Sequence, residues 1–404
     1  MLEKRIVRYL EGLRARQPLP LEVSLWDGNT VALGDAPRVA VRLKDGTGAR
    51  SFMRPSLGTL GESFVEGHID VDGPIRSVVS IAEALARARE RARTRGAIPG
   101  LIARHTRRSD RKAIEYHYDV SNEFYALWLD PLMVYSCAYF PDGVDDLATA
   151  QVRKLDHVCR KLLLAPGQRL LDIGCGWGAL AIHAARHYGV HVVGVTLSSG
   201  QFELATRRVR EAGLEGRVEI RLQDYRDIPV DPPFDRIASI GMFEHVGLKR
   251  LRGYFDRIHA LLRPGGIALN HGITSSDADS RSVGLGAGEF IDRYVFPDGE
   301  LPHVSLAIRE LSAAGLELAD AESLRRHYAR TLWHWSDAFE RNLERLSAIA
   351  GERRARIWRI YLAGCAHAFA NNWINLYQLL AVRPEATPQG AASPLPMTRD
   401  YMYR

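Results

Sequence analysis

The order of apolar and polar residues changes character near residue 147. Beyond it, short apolar runs at 169–173, 191–196, 218–222, 235–240 and 266–271 alternate with helical periodicity at 178–188, 199–212 and 249–261. Strands that alternate with helices in this way predict a parallel, doubly wound sheet with an α/β, Rossmann-like architecture. In the helix Ala179 to His187, for instance, Leu180, Ile182 and Ala184 carry the apolar face. A polar insertion, 274–300, follows the fifth strand; two helical stretches, 323–348 and 353–372, precede a last strand near 375–382, and Pro384–Pro396 reads as a flexible tail. Residues 1–80 have a different texture, a short helix and then strands that end in turn dipeptides. Val23–Trp26 runs into Asp27-Gly28, and Val39–Leu43 runs towards Asp45-Gly46, which predicts a small α+β module. Gly96-Ala-Ile-Pro-Gly100 breaks the helix before it. The expected organisation is therefore an N-terminal domain over 1–95, a basic linker over 96–112 and a larger domain over 113–404.

In an open parallel sheet, ligands bind at the carboxyl ends of the strands, near the point where strand order reverses. All five predicted strand ends carry glycine or polar clusters: Gly174 and Gly176, Thr196 to Gln201, Gln223 to Arg226, Gly241 to Gly247, and Asn270 to Ile273. The first is the most informative. Leu170-Leu-Asp-Ile-Gly-Cys-Gly-Trp-Gly178 joins a buried strand to a glycine turn and then a helix, and so predicts a nucleotide-type site. Its spacing, Gly174-x-Gly176-x-Gly178, departs from the dinucleotide fingerprint, and the second strand ends at His191–Ser198 without the acid that would hold an NAD ribose. The D-x-G-x-G-x-G form resembles that of S-adenosylmethionine (SAM) methyltransferases.

A chain of 404 residues exceeds the length of one ordinary domain, about 100–200 residues, in line with two domains. No apolar run approaches the roughly 18 residues that span a bilayer, and the start MLEKRIVRYLEGLRARQ is too charged for a secretory signal, so a cytoplasmic protein is expected. Cys137, Cys159, Cys175 and Cys365 form no CxxC pair, which predicts reduced thiols and no metal site. The net charge is +6, yet residues 82–112 hold ten Lys/Arg against three acids. Such a segment suits either a solvated face or anionic phospholipid head groups, each near-surface cation contributing about 1 kcal/mol. Nucleic acid is not expected, since aromatic interleaving and recognition motifs are missing.

Taken together, the motifs resemble those of the cyclopropane-fatty-acyl-phospholipid synthases and the related mycolic acid cyclopropane synthases, over most of residues 113–383. They are Tyr116–Tyr125, Tyr135-Ser-Cys-Ala-Tyr-Phe140, Leu171–Gly178, Val193–Ser198, Met242-Phe-Glu-His-Val-Gly247 and Tyr294–Pro302. Leu60–Asp70 is similar to the lipid-facing domain of full-length bacterial members. The resemblance implies a class I SAM-dependent methyltransferase domain with a smaller N-terminal lipid-binding domain, peripheral on the inner face of a bacterial membrane, and a homodimer. It implies transfer of the SAM methyl carbon to the cis double bond of a phospholipid acyl chain, deprotonation, and closure of a cyclopropane ring. By resemblance, Tyr135, Ser136, Asp172, Gly174, Gly176, Thr196, Leu197, Gln201, Asp224 and Tyr225 meet the cofactor. A bound bicarbonate as base is implied at Cys137, Glu244, His271, Ile273 and Tyr328. An unactivated alkene is a poor nucleophile, so orientation must lower the barrier, and a strong nucleophile near the resulting cation would trap it.

Each of these residues has a structural alternative: a buried small side chain for Cys137, a helix cap for Glu244 and His245, a core imidazole for His271, core packing for Tyr328. His117 and Asp119 fit a cofactor lid or plain structure, and Trp333, Trp335, Trp358 and Trp373 fit an acyl channel or the core. Competing functions on the same scaffold are an enzyme that leaves a methyl or methylene branch and a small-molecule N-methyltransferase. An NAD oxidoreductase lacks its acid, and a non-catalytic lipid-binding relic would have lost Glu244 or His271.

Overall fold

The computed structural model describes residues 2–91, 120–143, 146–281, 283–297, 299–388 and 390–403. The motif start at Tyr116, the ambiguous His117 and Asp119, and most of the basic segment lie outside the described residues. By internal contacts the chain forms two compact units, Met1–Ala103 with Val283–Pro297 and Phe339–Asn371, and Arg104–Ser282 with Asp298–Ala338 and Asn372–Arg404. The sequence suggests one boundary between 95 and 113; the units are instead discontinuous. Two later helices, Ala287–Tyr294 and Glu352–Ala370, join the N-terminal residues through side chains that local pattern does not reveal. Arg356 Nη2 lies 2.9 Å from Asp70, Arg353 pairs with Glu66 at 2.7 Å, and His367 meets Glu83 at 2.6 Å.

The first unit contains β1 (Leu21–Ser24), β2 (Thr30–Ala32), β3 (Val39–Leu43) and β4 (Ile69–Asp72) in the order β2-β1-β3-β4. Its helix Leu2–Arg16 buries Ile6, Leu10 and Leu13 on one stripe, the spacing of an amphipathic helix. Helix Leu57–Val65 starts at a capping box in which Ser56 and Thr59 satisfy each other's backbone amides.

The second unit is built on seven strands: β5 (Arg169–Ile173), β6 (His191–Thr196), β7 (Val218–Leu222), β8 (Phe234–Ile240), β9 (Leu262–Ser275), β10 (Glu317–Ser323) and β11 (Ile374–Val382), in the order β10-β11-β9-β8-β5-β6-β7. Strands β5 to β9 pair in parallel, and β11 and β10 add antiparallel to that edge. Strand order reverses between β5 and β8, so the crevice expected from the sequence lies at their carboxyl ends. Alternation separates two cores. Leu171, Ile173, Val195, Ala268 and Leu379 face helices Leu251–Leu261 and Val304–Ala313, while Leu170, Val192, Leu269 and Leu380 face helices Leu147–Lys161 and Ala179–Tyr188.

Two expectations need correction. The fifth strand runs over Leu262–Ser275 and not 266–271, because Pro264-Gly265-Gly266 is absorbed as an irregularity where the register to β8 shifts. Residues 384–396 are not a featureless tail: Glu385–Thr387 (β12) pairs with Gly390–Ala392 (β13), with Gly390 at φ +115. Helix Val304–Ala313 and edge strand β10 went unnoticed; of their residues only Ala307, Leu311 and Asp320 are buried.

Candidate active site

The glycine loop is shaped by backbone sterics. Gly174 and Gly176 have φ of +80 and +54, which side-chain-bearing residues rarely adopt, and a Cβ on Gly176 would project into open space. The Gly174 and Cys175 amides both donate to the Val195 carbonyl at 3.0 Å, folding the loop back onto β6. Beyond it lies a cavity of about 510 Å³. All ten expected cofactor residues line it, from Tyr135 and Ser136 on one side to Asp224 and Tyr225 on the other. Its size suits a nucleoside-type ligand.

Within that wall the polar groups are held in place. Thr196 Oγ1 donates to Gln201 Oε1 at 2.8 Å, so these two fill the position where a dehydrogenase has its acid. Asp224 is gripped by Arg226 through Nε at 2.9 Å and Nη2 at 2.6 Å, and also accepts the Arg226 amide. Trp177 turns its Nε1 to Asn122 Oδ1 at 2.8 Å. Tyr125 packs between Trp177 and Tyr135 at centroid distances of 5.1 and 5.8 Å, and the ring contacts continue through Trp335 to Tyr328.

Sequence reasoning missed Lys154. It is 2% exposed, lines the cavity and donates from Nζ to Ser136 Oγ at 3.0 Å. Burial lowers its pKa against the pull of Asp130, and burial raises that of Asp172 against the pull of Lys154. One Asp172 oxygen has no protein hydrogen-bond partner, which leaves a buried acceptor at the cavity for a cationic or N–H-bearing ligand. The signal was available: Gln151, Lys154 and Lys161 recur at helical spacing with Ala150, Leu155 and Val158 on the buried face.

Of the second set of expected residues, Glu244 lies just beyond the end of β8, and His271 and Ile273 lie on β9 itself. The Ile273 amide donates to Glu244 Oε1 at 2.6 Å, while Glu244 Oε2 has no protein partner. Although the residue as a whole is half-buried, its carboxylate is out of solvent, and burial pushes its pKa up to about 7 against the Ile273 amide. Gly272 makes this approach possible. A Cβ there would sit 1.9 Å from Phe243 Cε1, so only glycine lets residues 243 and 244 press on the strand.

His271, one strand pairing from Ile240, is 1% exposed. Its pKa is held well below the ordinary value by burial, then by Lys154 and Lys161. Its Nδ1 meets Gln378 Nε2 at 3.1 Å, and its Nε2 has no protein partner.

Cys137 is wholly buried. Its thiol, raised in pKa by that burial, points to the carbonyls of Ala138 and Leu324 at 3.2 and 3.8 Å, so it is no nucleophile. Leu324 donates its amide to Leu376, the ladder partner of Ile273, and accepts that of Tyr328. Cys137, Ile273 and Tyr328 thus share one backbone-linked region. Of the other aromatics, Trp335 and Trp358 are buried, each in a different unit.

Comparison with known proteins is consistent with this geometry. The family described as mycolic acid cyclopropane synthetase matches residues 105–379, and a domain of unknown function matches residues 9–91. A probable fatty acid methyltransferase of Pseudomonas putida is 48% identical over 386 residues, covering 96% of this chain and 97% of that protein. The cyclopropane-fatty-acyl-phospholipid synthase of Escherichia coli is 42% identical over 267 residues, 66% of each chain. Among solved structures, the mycolic acid cyclopropane synthase CmaA1 complexed with SAH and CTAB superposes with a TM-score of 0.63 at 35% identity, covering 69% of this chain and 99% of that one.

Proposed function

The chain belongs to the mycolic acid cyclopropane synthetase family and is a SAM-dependent methyltransferase; on that premise we propose that it methylates the cis alkene of a phospholipid acyl chain and closes a cyclopropane ring. One observation carries the reading. Glu244 Oε2 and His271 Nε2 are buried polar atoms without protein partners, on the loop and strand next to a cavity that Gly241, Met242, His245 and Val246 help to line. Orphaned buried groups are costly and mark a place for a small polar ligand. A bicarbonate ion fits the donor set: a neutral imidazole N–H for an anionic oxygen and a carboxylate oxygen for its O–H.

When bound, SAM would supply an electrophilic methyl and bicarbonate a weak base. The chain's own residues do the rest. Tyr135, Ser136, Thr196, Gln201 and the glycine loop orient the cofactor, with Ile273 fixing the Glu244 carboxylate by its amide. The ring wall of Tyr125, Tyr135, Trp335 and Tyr328 excludes water and offers π faces to a transient carbocation. No described helix is long and apolar enough to cross a membrane. Access to acyl chains is proposed to come from peripheral binding on the inner face of the membrane, aided by the cationic surplus of 82–112.

A second reading has a specific basis, the 48% identity to a probable fatty acid methyltransferase. The two share the first step and differ in which proton leaves the cation. Purified protein given SAM, bicarbonate and vesicles of monounsaturated phospholipid separates them by gas chromatography and mass spectrometry. A gain of one CH2 with loss of the alkene supports ring formation, and a product that gains one CH2 but keeps a double bond supports the second reading.

A further inference from the structure

We propose that Gln378 is a positioning residue that fixes the tautomer of His271, so that the imidazole presents an N–H and not a lone pair at Nε2, its ring nitrogen without a protein partner. The inference rests on the anion-site reading above. Gln378 on β11 is paired directly with His271 on β9 across an antiparallel ladder, and both are buried, at 0% and 1% exposure. Ladder pairing holds the two backbones in register, and both side chains project to the face that carries Leu269 and Leu380.

A neutral imidazole has one donor nitrogen and one acceptor nitrogen. His271 is kept neutral here, by burial first and then by Lys154 and Lys161; Glu322 and His157 are the other charged or titratable groups that act on it. The Gln378 amide nitrogen is 3.1 Å from His271 Nδ1 and has only hydrogens to offer, so Nδ1 must accept. The imidazole proton is thereby placed on Nε2, the atom that has no protein partner. Turning the amide over would put its carbonyl on Nδ1, strand both amide hydrogens in a buried site and leave a lone pair on Nε2. The arrangement found strands the carbonyl oxygen Oε1 and one amide hydrogen, and its other hydrogen is used on Nδ1.

The consequence concerns ligand charge. With Nε2 protonated, His271 offers a neutral donor to an anionic oxygen; with Nε2 bare, the same site would repel that oxygen. A single buried amide on the neighbouring strand therefore decides whether the site accepts an anion. Gln378, the buried polar residue in the run Ile374-Asn-Leu-Tyr-Gln-Leu-Leu-Ala-Val382, is otherwise unexplained there.

Long-range proton–nitrogen correlation spectra of the full chain labelled with 15N-histidine test this, with the His271 signals assigned by their loss in His271→Asn. The inference requires unprotonated Nδ1 and protonated Nε2 in the wild type; a protonated Nδ1, in either the other tautomer or an imidazolium, would overturn it. This readout needs no variant of Gln378 and no turnover, so it stands even if activity proves independent of bicarbonate, a result that would count against the proposed base alone. In Gln378→Leu, half-saturating bicarbonate should rise by about fivefold, as for one lost orienting hydrogen bond, with the SAM dissociation constant unchanged. An unchanged bicarbonate requirement, or an equal loss of SAM affinity, would overturn the positioning role.

Discussion

Replacing Glu244 by glutamine should make the protein more stable and much less active, and the size of the stability gain follows from the burial of one carboxylate. Burial raises the Glu244 pKa from its ordinary 4.5 to about 7. Below pH 4.5 the group is protonated in both folded and unfolded chains, and acid and amide are equivalent. Between 4.5 and 7 the unfolded chain releases the proton while the folded chain keeps it, so stability falls as pH rises. Above 7 both states are ionised and the loss levels off at about 3 kcal/mol, taking 1.36 kcal/mol per pH unit. The substituted amide cannot ionise, yet its oxygen can still accept the Ile273 N–H, the 2.6 Å hydrogen bond of the wild type. Urea unfolding of the two proteins in bicarbonate-free buffer should therefore coincide near pH 4.5 and diverge to about 3 kcal/mol in favour of the variant by pH 8. Turnover should drop by about 10²-fold or more while SAM binding is retained. A variant equal to or less stable than wild type at pH 8, or one that turns over normally, would refute the argument.

Three further outcomes are expected. Gly272→Ala drives a Cβ to 1.9 Å from Phe243 Cε1, so it should cost about 1–3 kcal/mol in thermal unfolding and abolish activity by displacing Glu244. Lys161→Met strips the cation, itself 0% exposed, that lies 2.5 Å from Glu322 and 3.6 Å from Asp320, and should lower stability by about 3–5 kcal/mol, measured by denaturant titration. Binding to vesicles should strengthen with anionic lipid and weaken as salt rises, because exposed charges are screened over about 8 Å at physiological ionic strength; sedimentation with liposomes that shows no salt dependence would return residues 82–112 to a solvated face.

The parts of the fold read correctly from sequence are those with local causes. The strands of β5 to β8 and the helices between them follow from apolar period, and the crevice follows from glycine and polar residues at consecutive strand ends. All ten residues expected to meet the cofactor line one cavity. What escaped is non-local. Helix Glu352–Ala370 joins the N-terminal unit through Arg356 to Asp70 and His367 to Glu83, pairs separated by hundreds of residues. Lys154 was hidden because a lysine on an amphipathic helix ordinarily faces solvent, and only its phase with Ala150 and Val158 betrayed it. Gly272 and Gln378 each left a trace, a glycine and an amide inside apolar strands, whose meaning depends on what packs opposite: Phe243 in one case, His271 in the other.

The central claim is that a methyl carbon is delivered to an alkene and then gives back one proton so that a ring can close. Turnover of monounsaturated phospholipid vesicles with SAM bearing a fully deuterated methyl group tests it directly, read by mass spectrometry and deuterium NMR of the released fatty acid esters. The account predicts a saturated product with a CD2 bridge, one deuteron lost from the donated methyl. A product that retains an intact CD3 group would contradict it.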